Sequence, residues 1–162
     1  MLGDQTTPGL LNTDRRMVAN IDVSYLVNDG TPAFHGAKGL SLGMNVRGMS
    51  GTPLSAYASH PIYLNTGEIP VGGRGTKGTL PSTRQVDLHA DYPVKIHESM
   101  ALKFAFDAFN VTDSKFVIGK NQNLDTSPGV ANPDYNKVGT GTTGGQGYQG
   151  PFYARGSVKL EF

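Results

Sequence analysis

Met100-Ala101-Leu102-Lys103-Phe104-Ala105-Phe106-Asp107-Ala108 is the stretch on which the reading of this chain turns. Its even positions are all apolar, while the odd ones include Lys103 and Asp107. Successive side chains of a strand point to opposite faces, so the pattern predicts a strand with one apolar and one polar side. Working outward, the same period recurs. Val86, Leu88, Ala90 and Tyr92 alternate with Gln85, Asp87, His89 and Asp91, and Val94 and Ile96 extend the apolar row. Phe152, Ala154, Gly156, Val158, Leu160 and Phe162 alternate with Tyr153, Arg155, Ser157, Lys159 and Glu161. Towards the amino terminus, Met17, Ala19, Ile21, Val23, Tyr25 and Val27 form one apolar row, and Leu40, Leu42, Met44 and Val46 another. Strands are therefore expected near 17–27, 39–48, 85–96, 100–109 and 152–162.

The connections alternate in length. The first two strands are joined through Asn28-Asp29-Gly30-Thr31-Pro32, and the third and fourth by a turn near His97-Glu98-Ser99. The other two connections, about 49–84 and 110–151, are long. A soluble sandwich shares the alternation, but loops of that length are uncommon in compact soluble domains. Short periplasmic turns and long outer loops are the habit of outer-membrane barrels. The expected fold is all-β: an antiparallel up-and-down meander of about five strands, part of a larger outer-membrane β-barrel, with residues 1–162 forming one barrel segment.

Composition sets limits. In 162 residues, 14 Lys and Arg stand against 13 Asp and Glu, a net charge of +1 that gives nucleic acid no basic surface to bind. The 22 Gly and 10 Pro push the chain towards turns, and the absence of Cys excludes disulfides and thiolate chemistry. Met1-Leu2-Gly3-Asp4-Gln5-Thr6-Thr7-Pro8 has neither the basic nor the apolar region of a secretory signal.

Particular segments resemble a known family. The run Phe152 to Phe162, alternating and ending in an aromatic residue, resembles the terminal strand of TonB-dependent outer-membrane receptors. Leu102 to Asp113, with its Phe109-Asn110 step, resembles their penultimate strand. Arg74-Gly75-Thr76, Pro81 to Tyr92, Arg47 to Pro53 and Leu11 to Arg16 are similar to segments of Oar-like members. The resemblance implies a carboxy-terminal piece of a barrel of about 22 strands, without the plug domain. It further implies that Val158, Leu160 and Phe162 serve as an assembly signal for the barrel-insertion machinery. The implied location is the outer membrane, with lipid and an unknown ligand as partners.

Other motifs lack their required context. Gly139-Thr140-Gly141-Thr142-Thr143-Gly144 matches a dinucleotide fingerprint, but no strand precedes it, so it reads as a loop. Gly39-Leu40-Ser41-Leu42-Gly43 matches a nucleophile elbow, yet the alternation runs on through Val46 where a helix should begin. Were it catalytic, Asp87 or Asp107 and His89 would partner Ser41. Asn121, Asn123 and Asp125 have the spacing of half a calcium loop, but Thr126 replaces the turn glycine and Asn132 the bidentate Glu. His35, His60, His89 and His97 show no metal-ligand spacing. Tyr57, Tyr63, Tyr148, Phe152 and Tyr153 suit an aromatic girdle or loop packing.

Two functions follow. The leading one is a carboxy-terminal fragment of a TonB-dependent transport or receptor protein, not transport-competent alone and without a cofactor. The alternative is a small soluble β-protein with hydrolase activity, through Ser41 or a metal, which would have to hide its edges and apolar face by self-association or curling. An enzyme is the lesser reading, and a hydrolase is the class it would belong to.

Overall fold

A computed structural model of the chain describes residues 9–28, 37–97, 100–139 and 147–162. The GxGxxG run, His35, the 97–99 turn and most of the first connection fall wholly or partly outside these residues. All described regular structure is β, with no helix. Five long strands make one sheet: β1 (Val18–Leu26), β2 (Ser41–Met49), β5 (Thr83–His97), β6 (Met100–Phe109) and β9 (Tyr153–Glu161). Their order is β1-β2-β5-β6-β9, an up-and-down meander in which each long strand pairs with its predecessor. Four short strands were not expected: β3 (Tyr57–Ala58), β4 (Ile69–Pro70), β7 (Asp125–Ser127) and β8 (Val130–Ala131).

The chain forms two compact units. The first to consider is the sheet, drawn from residues 19–48, 84–114 and 151–162. Antiparallel pairing of β5 with β6 sets Leu88 opposite Ala108, Ala90 opposite Phe106 and Val94 opposite Leu102. Pairing of β6 with β9 continues each row, with Leu160 opposite Leu102, Val158 opposite Phe104 and Ala154 opposite Ala108. At the other side of the sheet, the Val27 amide donates to Leu40 O at 2.8 Å and the Gly39 amide to Val27 O at 3.0 Å, closing β1 onto β2. Gly39 has φ 90°, and a Cβ there would lie 3.3 Å from the Pro93 ring.

Strand β6 stops at the Phe109-Asn110 step for a local reason. Asn110 has φ 49° and is 2% exposed. Its Nδ2 donates to Ser114 O and its Oδ1 accepts from Ser114 N, each at 3.0 Å, while its own amide donates to Asp87 Oδ1 at 2.8 Å. Asparagine tolerates the left-handed region because its short amide bonds the neighbouring backbone. The side chain thus ends one strand and ties the turn to the strand beside it.

The second unit gathers residues 49–83 and 115–150 with the segment preceding β1. The two long connections, expected as loops, fold against each other. Tyr57 N donates to Gln122 O at 2.9 Å, Leu124 N to Tyr57 O at 2.8 Å, and a parallel bridge joins Tyr57 to Asn123. Leu54, Ala56 and Leu80 are buried beside Ser55, Ser59, His60 and Asn121. Gly51 permits the closest approach, since a Cβ there would sit 1.6 Å from Leu80 O.

Replacing Asn110 with Ala should lower the unfolding free energy by about 2–4 kcal/mol, from lost hydrogen bonds plus a left-handed residue with a Cβ. Asn110→Gly should lose less, because glycine keeps the backbone conformation. Equal losses in denaturant titrations of the two variants would show that φ at this position matters little.

Candidate functional site

The register divides the sheet by chemistry. On one side lie Val23, Tyr25, Leu42, Met44, Leu88, Ala90, Phe106 and Ala108, which outline an apolar hollow of about 420 Å³. Among the described residues much of that side is open: Val23, Phe106 and Val158 are 50%, 52% and 61% exposed. Such a continuous apolar surface marks an interaction surface, not a soluble exterior. Gly156 stands opposite Phe106 on the outer strand β9, leaving the ring room across the pair.

The other side is a chain of charges. Arg155 Nε donates to Asp107 Oδ2 at 2.8 Å, and Asp107 Oδ1 lies 2.6 Å from His89 Nδ1. His89 Nε2 lies 3.0 Å from Asp91 Oδ2, whose other oxygen is 3.1 Å from Lys103 Nζ. These five groups on β5, β6 and β9 form one continuous row, with a cation at each end and His89 held between two carboxylates. Exposed ion pairs add little to stability in water, so their effect is to fix side-chain orientation. Arg155 also lies 5.4 Å from the centre of the Phe109 ring, and Phe109 stacks on Tyr153 at 4.6 Å. Towards β1, Asn45 Nδ2 donates to Asp22 Oδ1 at 2.5 Å and Arg47 Nε to Asn20 Oδ1 at 3.3 Å. A hollow of about 300 Å³ opens beside Asp22, Asn45, Asp87, His89 and Asp107, with Val23, Met44, Leu88 and Phe109 also in its lining.

The residues singled out from the sequence fall as follows. Ser41, Asp87 and His89 belong to β2 and β5. Gly39 faces Pro93 and Gly43 faces His89, a register that sets Ser41 opposite Asp91, not opposite His89. Asp87 accepts from Gln85 Nε2 at 2.8 Å and from the Asn110 amide. His89 has both ring nitrogens on Asp91 and Asp107, and no hydrogen bond joins Ser41 to either Asp87 or His89 among the described residues.

In the other unit, Asn121, Asn123 and Asp125 turn to the backbone. Asn121 Oδ1 accepts from Asn123 N at 3.0 Å, and Asp125 accepts from Ser59 N at 3.0 Å and Ser59 Oγ at 2.6 Å. Among the described residues, no group of three or more His, Asp or Glu side chains is arranged to hold a metal. Val158 and Leu160 lie on the apolar side of β9, and Phe162 follows at 95% exposure. Tyr63 packs on His60 at 4.6 Å between ring centres. Sequence reasoning missed Arg155, Asp91 and Lys103 as members of the charged chain. Each sat on a polar row, but only the register between strands makes them neighbours.

Across 71 residues, 44% of this chain, the sequence is 32% identical to the TonB-dependent transporter Oar of Myxococcus xanthus. The match spans 7% of that transporter's length. No family model matches the chain, and no solved structure matches it. The likeness is thus to a small part of a transporter, and it suggests a TonB-dependent receptor relationship for a chain whose described fold is all-β.

Gly43 lies beneath the pinned imidazole, where a Cβ would stand 3.3 Å from His89 Cβ, whereas a Cβ at Gly48 on the same strand would meet nothing within 4 Å. Gly43→Val should therefore destabilise the sheet by about 1–3 kcal/mol through crowding, and Gly48→Val should be neutral or stabilising. Matching denaturation midpoints for the two variants would rule out the clearance argument.

Proposed function

We propose that this chain is a wall segment of an outer-membrane β-barrel related to TonB-dependent transporters, its apolar side against lipid and its charged side against the water-filled interior. One observation carries the reading: a meander whose two faces are wholly different, the apolar one exposed and the polar one internally bridged. A soluble sandwich would bury the first face; a barrel wall needs both faces as they are. The likeness to Oar and the resemblance of the strands to the last strands of TonB-dependent receptors support the same reading.

In this role β1 and β9, the outer strands of the five, pair with further strands of the barrel, because an open edge is not tolerated in the bilayer. The compact unit built from the long connections belongs with the outer loops. Val158, Leu160 and Phe162 form the apolar row read by the barrel-assembly machinery. The five strands alone carry no step of energised uptake. The whole receptor performs that step on its ligand.

The test compares the two faces. In the full-length receptor, Phe106→Lys or Leu88→Lys should reduce folded, heat-modifiable barrel in isolated outer membranes, since Lys at mid-bilayer costs about 2–4 kcal/mol. Ala105→Lys and Ser157→Lys, on the polar side, should leave it unchanged. Equal tolerance on both faces would defeat the wall reading.

A further inference from the structure

We propose that a cavity inside the unit formed by the long connections binds a phosphate group. The cavity, about 150 Å³, lies where Leu54 and Ser55 meet Lys120-Asn121-Gln122, with Lys77 and Tyr135 on its rim. Two lysines line it and no carboxylate does. Lys120 Nζ donates to the neutral Asn136 Oδ1 at 3.1 Å, and neither Lys77 nor Lys120 pairs with an acid among the described residues. The nearby Asp134 is bridged to Lys137 at 3.1 Å.

The hydrogen bonding around the cavity is one-sided. Gln122 Oε1 accepts from the Ser55 amide at 2.7 Å, and Asn121 Oδ1 accepts from the Asn123 amide. Ser55 Oγ accepts from the Gly75 amide at 2.9 Å. The backbone follows suit: Asn121 O accepts from Asn136 N at 2.8 Å, Gln122 O from Tyr57 N at 2.9 Å, and Leu54 O from Lys77 N at 2.9 Å. Because the two amide oxygens must face backbone N–H groups, the orientations of Asn121 and Gln122 are fixed and their NH₂ groups are left over.

The acceptors named above are thus taken, and Asn121 and Gln122 offer their NH₂ groups and Ser55 its hydroxyl beside the ammonium groups of Lys77 and Lys120, with Tyr135 and Asn136 completing the lining. Asn121 is 4% exposed and Ser55 2%, while Lys120 and Gln122 are half-buried and Lys77 is exposed. Among the described residues the Asn121 NH₂ has no acceptor. A partly buried group of donors with two cations and no carboxylate in its lining is completed by an anion with several acceptor oxygens. Lysine binds phosphate as a point charge, and a phosphate group offers this number of donors more acceptor oxygens than a carboxylate does. The phosphate could be free in solution or part of a lipid headgroup, and the chemistry at the cavity is the same. The inference does not depend on the barrel reading.

Both sources are tested with the full-length protein in detergent micelles or vesicles at low ionic strength, where screening is weakest. Calorimetry with inorganic phosphate reads the free anion. Binding to phosphatidylcholine vesicles with and without phosphatidic acid reads the headgroup. Saturable one-to-one binding is expected in at least one arm. It should weaken at least about tenfold in Lys77→Met and in Lys120→Met and persist in Lys77→Arg. Lys77 is exposed, so its replacement leaves the fold intact even if Lys120→Met does not. Phosphate-only binding assigns the site to the free anion, and vesicle-only binding to the headgroup. No saturable binding in either arm, or binding that ignores Lys77, overturns the proposal.

Discussion

Facing residues in an antiparallel pair share a side of the sheet, so slipping β6 by one residue would carry Asp107 across to Leu88 or Ala90 and Lys103 to Tyr92 or Val94. Everything particular to the sheet rests on that register. It lines up Phe104 with Val158 on one side and Asp107 with Arg155 on the other. It also brings His89 within reach of carboxylates on two strands at once. The glycine at 43 belongs to the same constraint, since the imidazole occupies the space its side chain would take. Mutual exclusion of the two chemistries is what gives this single layer two unlike faces.

The other unit is organised differently. Among the described residues its buried side chains are largely polar, with Ser55, Ser59, His60, Thr83 and Asn121 beside Leu54, Ala56 and Leu80. Side chains there substitute for missing sheet partners: Asp125 accepts from the Ser59 backbone, Gln122 from Ser55, and Asn132 Nδ2 donates to Asn123 O. Buried backbone groups must be paired, and where the ladders are only two or three residues long, amides and carboxylates supply the partners.

The long strands were legible because alternation is a local signal, and all five lie within about two residues of their expected limits. The short strands were not. Tyr57-Ala58 and Val130-Ala131 contain too few residues to show any period, whether the partner is distant, as Ile69–Pro70 is for the first, or across a tight turn, as Asp125–Ser127 is for the second. The same limit hid the charged chain. His89 and Asp91 were visible as one polar row, but the link from Asp107 to Arg155 spans 48 positions and exists only once β9 docks. The spacing of Asn121, Asn123 and Asp125 matches half an ion loop, but without the loop's glycine and glutamate it reads as a polar turn; which backbone groups Asn121 and Asp125 bind was not legible, because Ser59 lies 66 positions from Asp125.

The turn at His60 has a practical consequence. His60 N donates to Asn65 O and Leu64 N to His60 O, while His60 Nδ1 accepts from the amides of Ile62 and Tyr63. The turn is therefore clipped shut at its base, with Ile62, Tyr63 and Leu64 exposed at its tip. Segments closed in this way are mechanically separate from what lies beneath them, and exposed tips accept inserted sequence best. An epitope tag placed between Ile62 and Tyr63 would leave the pairing of residues 54–58 undisturbed. On intact cells, its access to antibody would report which side of the envelope these connections occupy.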